Sequence, residues 1–217
     1  MSNFGFVHLR VVNPYEAAFR EARSAVGASA VLARAQEYGS VAEAVADCPL
    51  VVGTTSAHHR ELQHPLRMLQ EGARLIRNGL LSGNVALVFG SEKRGLSNQD
   101  LSHCHWLMRI PTREQQVSMN LGQAVAVCLY ELAHDPGVVQ CLPEESRAAS
   151  GELERITTLL LEALRASGYL PGETTALAEE KVRRLVHRLS LSADDAETWL
   201  GMLRQMLWKL RSRQDPS

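Results

Sequence analysis

Short apolar runs alternate with amphipathic stretches up to about residue 134, and this alternation constrains the fold more than any other feature of the sequence. The runs cover residues 6–12, 50–52, 85–89 and 106–110, and turn residues or prolines close several of them. Short apolar runs bounded in this way are typical of buried strands. Strands that alternate with helices predict an α/β fold with a mostly parallel sheet, covered by helices on both faces.

The stretches between these runs have the apolar spacing of helices. Residues 15–25 are rich in alanine, and Ser40 is placed to cap a second helix. Pro65 precedes residues 66–77, whose apolar positions recur every three or four residues, so we expect a longer helix to start there. Residues 121–132 are almost wholly apolar and predict a well-buried helix.

The composition changes after residue 134, which indicates a second structural unit. Residues 136–150 contain proline and acidic residues without periodicity and are interpreted as a linker between a domain at 1–135 and a smaller one at 151–213. Three apolar stripes in the last segment predict a small bundle of three helices.

Charge, cysteines and hydropathy limit the class of protein. The formal net charge of the 217 residues is -1, so any surface that binds nucleic acid must come from local clusters of Arg and Lys. The four cysteines show no zinc-site spacing, and no apolar stretch reaches the ~20 residues needed to cross a bilayer. We therefore expect a cytoplasmic protein with reduced thiols, without a membrane partner.

Three polar loops follow predicted strands, at residues 54–57, 90–98 and 112–120. Ligands of open α/β sheets bind at the carboxyl ends of the strands, so these loops are candidates for lining one crevice. Taken alone, the loop at 90–98 is better explained as a solvated turn; a simple turn is also an alternative for 54–57, and helix capping by Ser118 or Asn120 is the alternative for the third loop. The adjacent pair of histidines at 58–59 has poor geometry for a metal, and no metal site is predicted.

Several of these residues resemble motifs of one enzyme family. Residues 87–98 (LVFGSEKRGLSN), 110–111 (IP) and 118–121 (SMNL) resemble the two C-terminal motifs of the SpoU/TrmH branch of the SPOUT RNA 2'-O-methyltransferases. Residues 51–55 (VVGTT) resemble an earlier loop of that branch, and the tail with 182–185 (VRRL) is similar to its TrmJ subgroup.

The resemblance implies a fold, a cofactor and a reaction. It implies a deep trefoil knot within residues 85–132 and a homodimer. It also implies transfer of a methyl group from S-adenosylmethionine to a ribose 2'-hydroxyl of tRNA, at anticodon-loop nucleotide 32 in the subgroup. The positions that match the family's cofactor loops are Thr54, Thr55, Ser56, Gly90, Ile110, Val117, Ser118 and Met119. Supporting roles in catalysis fall to Glu92, Ser118 and Asn120.

The sequence departs from the family at its beginning. Family members open with a strand and a loop carrying an Asn, a Gly and an Ala-Arg pair, and Met1 aligns just after that Arg. No general base is therefore assigned. The expectation is either a true start upstream of Met1 or, as the alternative function, a non-catalytic knotted module for RNA binding and dimerisation.

Candidate RNA contacts lie in a loop and in the tail. Arg94 lies in the second polar loop and is a candidate phosphate contact, although an exposed loop arginine that is simply solvated explains it at least as well. Lys181, Arg184 and Arg188 share one predicted helical face that suits phosphate binding. A solvated face, balanced by the acidic residues at 179 and 180, explains the tail pattern equally well.

Overall fold

The computed structural model describes residues 1–14, 29–56, 63–113, 118–134, 146–171 and 175–212. The strands of the described residues are β1 (Arg10–Val12), β2 (Gln36–Tyr38), β3 (Leu50–Thr54), β4 (Leu66–Met68), β5 (Val85–Val88) and β6 (Trp106–Arg109). The helices are α1 (Ser29–Ala33), α2 (Val41–Ala44), α3 (Leu69–Ser82), α4 (Asn98–Ser102), α5 (Leu121–His134), α6 (Ser150–Ala166), α7 (Ala176–Arg188) and α8 (Ala193–Arg211). A single 3-10 turn, Ser2–Phe4, precedes them.

The central sheet contains four parallel strands in the order β4-β6-β3-β5. Strand β3 lies between β5 and β6, and Gly53 of β3 is in register with Val88 on one side and Leu107 on the other. Strands β1 and β2 form a separate parallel pair. The parallel α/β architecture expected from the alternation is confirmed, whereas the trefoil knot stays a prediction.

The alternation of side chains along β3 and β6 places a core on each face of the sheet. Leu50, Val52 and Met108 pack on one face with residues of α3 and α5. Val51 and Leu107 point to the opposite face, where residues of α2 and α4 cover them. Successive side chains of a strand point to opposite faces, so strands covered on both sides are apolar throughout.

Helices α6, α7 and α8 pack around a core of their own. Leu153 and Ile156 of α6 meet Val186 of α7 and Leu200 and Leu203 of α8. The three predicted helices thus pack together around a common core, while the domain and linker boundaries remain predictions. The end of the predicted linker is ordered, because α6 already starts at Ser150.

Backbone hydrogen bonds dock α6 on the α/β part of the chain. The amide and the hydroxyl of Ser150 both donate to the carbonyl of Cys48, at 3.1 and 2.7 Å. The amide of Gly151 donates to the carbonyl of Ala46 at 2.9 Å. The loop before β3 therefore accepts the first turn of α6, where amides have no partner within the helix.

The prediction of one helix across residues 66–77 is wrong at its start. Leu66–Met68 form the edge strand β4, and the helix begins at Leu69. The carbonyl of Pro65 accepts a hydrogen bond from the amide of Leu107 at 2.9 Å, so proline enters a strand edge instead of a helix. Pairing with β6 overrides the helical spacing of this segment.

Other boundaries differ by less. The run at residues 6–12 is a strand only over Arg10–Val12, and its partner β2 had not been predicted. The helix predicted at residues 15–25 lies outside the described residues. Ser40 caps α2 as expected, and its hydroxyl accepts from the amide of Glu43. Among the described residues, no helix has the length and hydropathy of a membrane span.

Candidate active site

A cavity of about 450 Å³ lies at the carboxyl ends of β3, β5 and β6. Segments that follow three different strands line it together with one side of α4 and the start of α5. Its lining residues are Thr54, Thr55, Ser56, Phe89, Gly90, Ser91, Glu92, Lys93, Arg94, Gly95, Leu96, Leu101, Met108, Ile110, Thr112, Ser118, Met119, Leu121 and Ala124. The three polar loops expected to share a crevice therefore do so.

Two hydrogen bonds fix the segment after β3. The hydroxyl of Thr54 donates to the carbonyl of Val88 in β5 at 3.0 Å. The amide of Thr55 donates to the carbonyl of Met108 in β6 at 3.0 Å. The end of β3 is thus held by both neighbouring strands, so the residues that enter the cavity have a defined position.

The loop after β5 folds back on itself. The amide of Gly95 donates to the carbonyl of Ser91 at 2.8 Å, and the amide of Arg94 donates to the hydroxyl of Ser91 at 3.3 Å. A Cβ atom on Gly90 would overlap the backbone of Gly95 and Leu96, so only glycine fits this turn. Gly95 has a φ of +67°, in the left-handed region that glycine adopts without strain.

Ser97 closes this loop and caps α4. Its hydroxyl accepts from the amide of Asp100 at 3.1 Å, and the Asp100 carboxylate accepts from the amide of Ser97 at 2.9 Å. This capping box fixes the point at which the loop becomes helix.

Glu92 joins the loop after β5 to the start of α5. Its carboxylate accepts from the side-chain amide of Asn120 at 2.9 Å and from the backbone amide of Leu121 at 3.3 Å. The carbonyl oxygen of the Asn120 side chain accepts from the amide of Gln123 at 3.3 Å, so Asn120 caps α5. A carboxylate at a helix N-terminus is favoured by the helix dipole, and Glu92 and Asn120 therefore hold two walls of the cavity together.

The cavity combines an apolar interior with polar edges. Leu101, Met108 and Ile110 supply apolar surface, and Thr54 and Thr55 supply hydroxyls and backbone groups. The hydroxyl of Thr112 is buried and has no hydrogen-bond partner within the described part of the chain. Such a site suits a small molecule that has both a flat apolar part and hydrogen-bonding groups.

The residues predicted for the cofactor lie together. All of the described ones line the cavity, namely Thr54, Thr55, Ser56, Gly90, Ile110, Ser118 and Met119. Val117 lies outside the described residues. The sequence analysis did not predict that Thr112, Leu101 and Met108 line the cavity. Their position at the ends of strands or helices, beside the polar loops, could have indicated it.

The predicted RNA contacts are dispersed. Arg94 is exposed at the cavity, and Lys181 and Arg188 are exposed on α7. The prediction that Arg184 lies on an exposed phosphate-binding face is wrong. Its side chain is only 8% exposed, and its guanidinium lies 3.6 Å from the Glu180 carboxylate. Arg184 belongs to the packing of α7 and does not join Lys181 on an exposed face.

The three described cysteines are buried and free. Burial raises the pKa of the Cys48 thiol to about 11 and the pKa values of Cys104 and Cys128 to about 12. These thiols are protonated at neutral pH, so they are poor nucleophiles and the expectation of reduced cysteines fits their surroundings.

Comparison with known proteins points to one family. The profile of the SpoU rRNA Methylase family matches residues 1–130. The tRNA (cytidine/uridine-2'-O-)-methyltransferase TrmJ of Sodalis glossinidius is 31% identical over 223 aligned positions, which cover 100% of this chain and 85% of that protein. The tRNA (cytidine-2'-O-)-methyltransferase TrmJ of Methanocaldococcus jannaschii is 32% identical and covers 93% of this chain and 88% of its own length.

Solved structures are similar across both parts of the chain. The crystal structure of TrmJ from Z. mobilis ZM4 superposes with a TM-score of 0.82 at 30% identity, covering 95% of this chain and 89% of that one. A probable methylase family protein from Haemophilus influenzae Rd KW20 superposes with a TM-score of 0.57 at 26% identity, covering 98% and 89%.

Proposed function

Because this chain belongs to the SpoU rRNA methylase family, we propose that it is an S-adenosylmethionine-dependent methyltransferase that modifies a ribose 2'-hydroxyl of tRNA. The tRNA 2'-O-methyltransferases among its relatives match nearly the whole chain, including the helices α6 to α8. The observation that carries the proposal is the convergence of three loops on one cavity.

The residues of the cavity fit the cofactor. Its volume of about 450 Å³ falls in the range of small-molecule sites, which is roughly 300–1,000 Å³. Leu101, Met108 and Ile110 would flank the adenine ring, and the unpartnered hydroxyl of Thr112 is available to a polar group of the ligand. Gly90 keeps the backbone of its loop at the cavity wall, where a side chain has no room.

When bound, S-adenosylmethionine supplies an electrophilic methyl group. The residues of the chain contribute by orienting this methyl group toward the ribose 2'-hydroxyl and by excluding unreactive orientations of the cofactor. Correct orientation of two reactants is a large part of catalysis in such a reaction. Glu92 and Asn120 perform the positioning by holding the loop after β5 against α5.

Methyl transfer to unmodified tRNA tests the proposal. Purified protein is incubated with radiolabelled S-adenosylmethionine and tRNA transcribed in vitro, and the digested product is analysed for 2'-O-methylated nucleosides. We expect label in a 2'-O-methylated pyrimidine nucleoside. Binding of cofactor and tRNA without transfer would refute the enzyme and support the alternative of a non-catalytic RNA-binding module.

The nucleotide at position 32 of the anticodon loop is the proposed target within tRNA, by resemblance to the subgroup. Transcripts that differ only in the base at position 32, or that carry a 2'-deoxyribose there, discriminate this position. Transfer that is unchanged by the 2'-deoxy substitution would refute the assignment of position 32 without refuting the activity.

We also propose a homodimer and a knot within residues 85–132. Helix α5 buries Cys128, Leu129 and Leu132 against its own chain, while Ala126 and Tyr130 on its other side are exposed. That remaining apolar surface is available to a second copy. Sedimentation at micromolar concentration should give the mass of two chains, and a monomer at that concentration would contradict the proposal.

A further inference from the structure

Potential metal ligands meet where the three C-terminal helices dock on the α/β part. His103 follows α4, Glu154 lies on α6 and His187 lies on α7. One ligand atom from each lies within 4.8 Å of the other two, and His103 Nδ1 is 3.7 Å from Glu154 Oε2. These residues are far apart in sequence, so folding alone brings them together.

His187 is the unexplained member of this group. It is only 1% exposed, and both of its ring nitrogens are buried without a hydrogen-bond partner among the residues that the structure describes. The ring contacts the imidazoles of His105 and His103, with centroids 4.9 and 6.5 Å away. A buried polar group without a partner destabilises a protein, so a missing partner for this ring is expected.

We propose that His103, Glu154 and His187 bind a divalent transition-metal ion of the Zn²⁺ type. Imidazole nitrogens and a carboxylate oxygen are ordinary ligands of such ions. Two ligands at about 2.0–2.2 Å from a tetrahedral ion lie about 3.3–3.6 Å apart. The observed separations therefore require side-chain shifts of about 1.5 Å or less, and a water molecule completes the fourth position.

His105 lies beside the site but is not one of the ligands. Its Nδ1 accepts a hydrogen bond from the amide of Val51 at 3.1 Å, which leaves the proton of the neutral ring on Nε2. An imidazole binds a metal ion through an unprotonated ring nitrogen, and His103 and His187 would each bind the ion in that way.

Arg183 is the main opposing charge. Its Nε donates to Glu154 Oε2 and its Nη2 donates to Glu154 Oε1, each at 2.9 Å, while Nη1 donates to Ser102 at 3.3 Å. A bound ion takes Oε2, and Arg183 keeps Oε1 as a hydrogen-bond partner of the ligating carboxylate. The positive charge of Arg183 weakens binding relative to a site without it.

An ion at this position links the loop before β6 to α6 and α7. Since an ion that binds only the folded protein stabilises it, the helices should be held more firmly on the α/β part. The expected role is structural, because none of the three ligands lines the cavity of the candidate active site.

Metal binding is tested on full-length protein without a histidine tag, after treatment with EDTA. Calorimetry with ZnCl₂ should show one equivalent per chain, and the thermal midpoint should rise by several degrees when Zn²⁺ is in excess. His187→Ala should abolish both effects, and the exposed His8→Ala is the matched control that should retain them.

X-ray absorption of the Zn²⁺-loaded wild-type protein keeps the test independent of how well the variants fold. The expected first shell has two imidazole nitrogens and oxygen ligands at about 2.0–2.2 Å. The proposal is overturned by no binding to the wild-type protein, by a shell containing sulfur or no imidazole, or by binding that His187→Ala leaves unchanged.

Discussion

Replacing Gly90 with alanine is expected to weaken cofactor binding while leaving most of the fold intact. A Cβ atom at this position would overlap the backbone of Gly95 and Leu96, and no rotation of a methyl group relieves such an overlap. The loop must therefore open. Residues 91, 94 and 95 of this loop line the cavity, so its opening displaces part of the binding site.

The magnitude follows from the hydrogen bonds that hold the loop closed. Opening it breaks the bonds from the amides of Gly95 and Arg94 to Ser91. At about 0.5–1.5 kcal/mol each, the two bonds together contribute about 2 kcal/mol. If the cofactor must close the loop again in order to bind, its affinity falls by about 30-fold.

Calorimetry with S-adenosylmethionine measures this loss, and thermal unfolding reports on the rest of the fold. Gly201→Ala is the matched control, because Gly201 lies on the exposed side of α8 with open space around its Cα. Alanine within a helix is more favourable than glycine by about 0.5–1 kcal/mol, so this control should be slightly stabilised and should bind normally.

Two results would refute the reasoning about Gly90. One is cofactor affinity of Gly90→Ala within about 2-fold of the wild-type value, a difference of less than about 0.5 kcal/mol. The other is an equal loss of affinity in Gly201→Ala, which would assign the effect to general destabilisation.

Four further variants test other parts of the chain. Lys181→Ala should lower tRNA affinity and reduce the slope of its salt dependence by about 1. Arg184→Ala should mainly lower the thermal midpoint, because Arg184 is buried beside Glu180. Equal salt slopes for the two variants would contradict the assignment of only Lys181 to RNA binding. Thr54→Val should lose about 1 kcal/mol of stability in urea unfolding with its hydrogen bond to β5, and an unchanged midpoint would show that this bond contributes nothing. The guanidinium of Arg10 holds the pKa of Asp47 well below its usual value of 3.8, so this ion pair stabilises the fold above about pH 4 and stabilises it less as the pH falls. In Asp47→Asn, the free energy of unfolding measured with urea should therefore fall less between about pH 5 and pH 3 than in the wild-type protein.

The strands that were predicted best from the sequence are those buried by helices on both faces of the sheet. Strands β3, β5 and β6 are apolar except at the carboxyl ends of β3 and β6, because helices cover both faces of the sheet, and each strand was located to within two residues. Strand β4 was mistaken for helix because its pairing with β6 is a contact over some forty residues, which the spacing of apolar side chains does not encode.

The candidate site was predictable to the extent that it follows from strand order. Parallel strands end at the same edge of a sheet, so the polar loops after β3, β5 and β6 had to meet. The contacts of Arg184 and His187 depend instead on how α7 packs between α6 and the α/β part. Helical spacing defines which residues share a face, but it does not say which face is covered.

The short helix α4 lies between the cavity and the C-terminal helices. Leu101 lines the cavity, and the next residue, Ser102, accepts a hydrogen bond from Arg183 of α7. A displacement of α7 by bound RNA would therefore reach the cofactor through one turn of helix. Any change that tRNA causes in the affinity for the cofactor must be matched by an equal change that the cofactor causes in the affinity for tRNA.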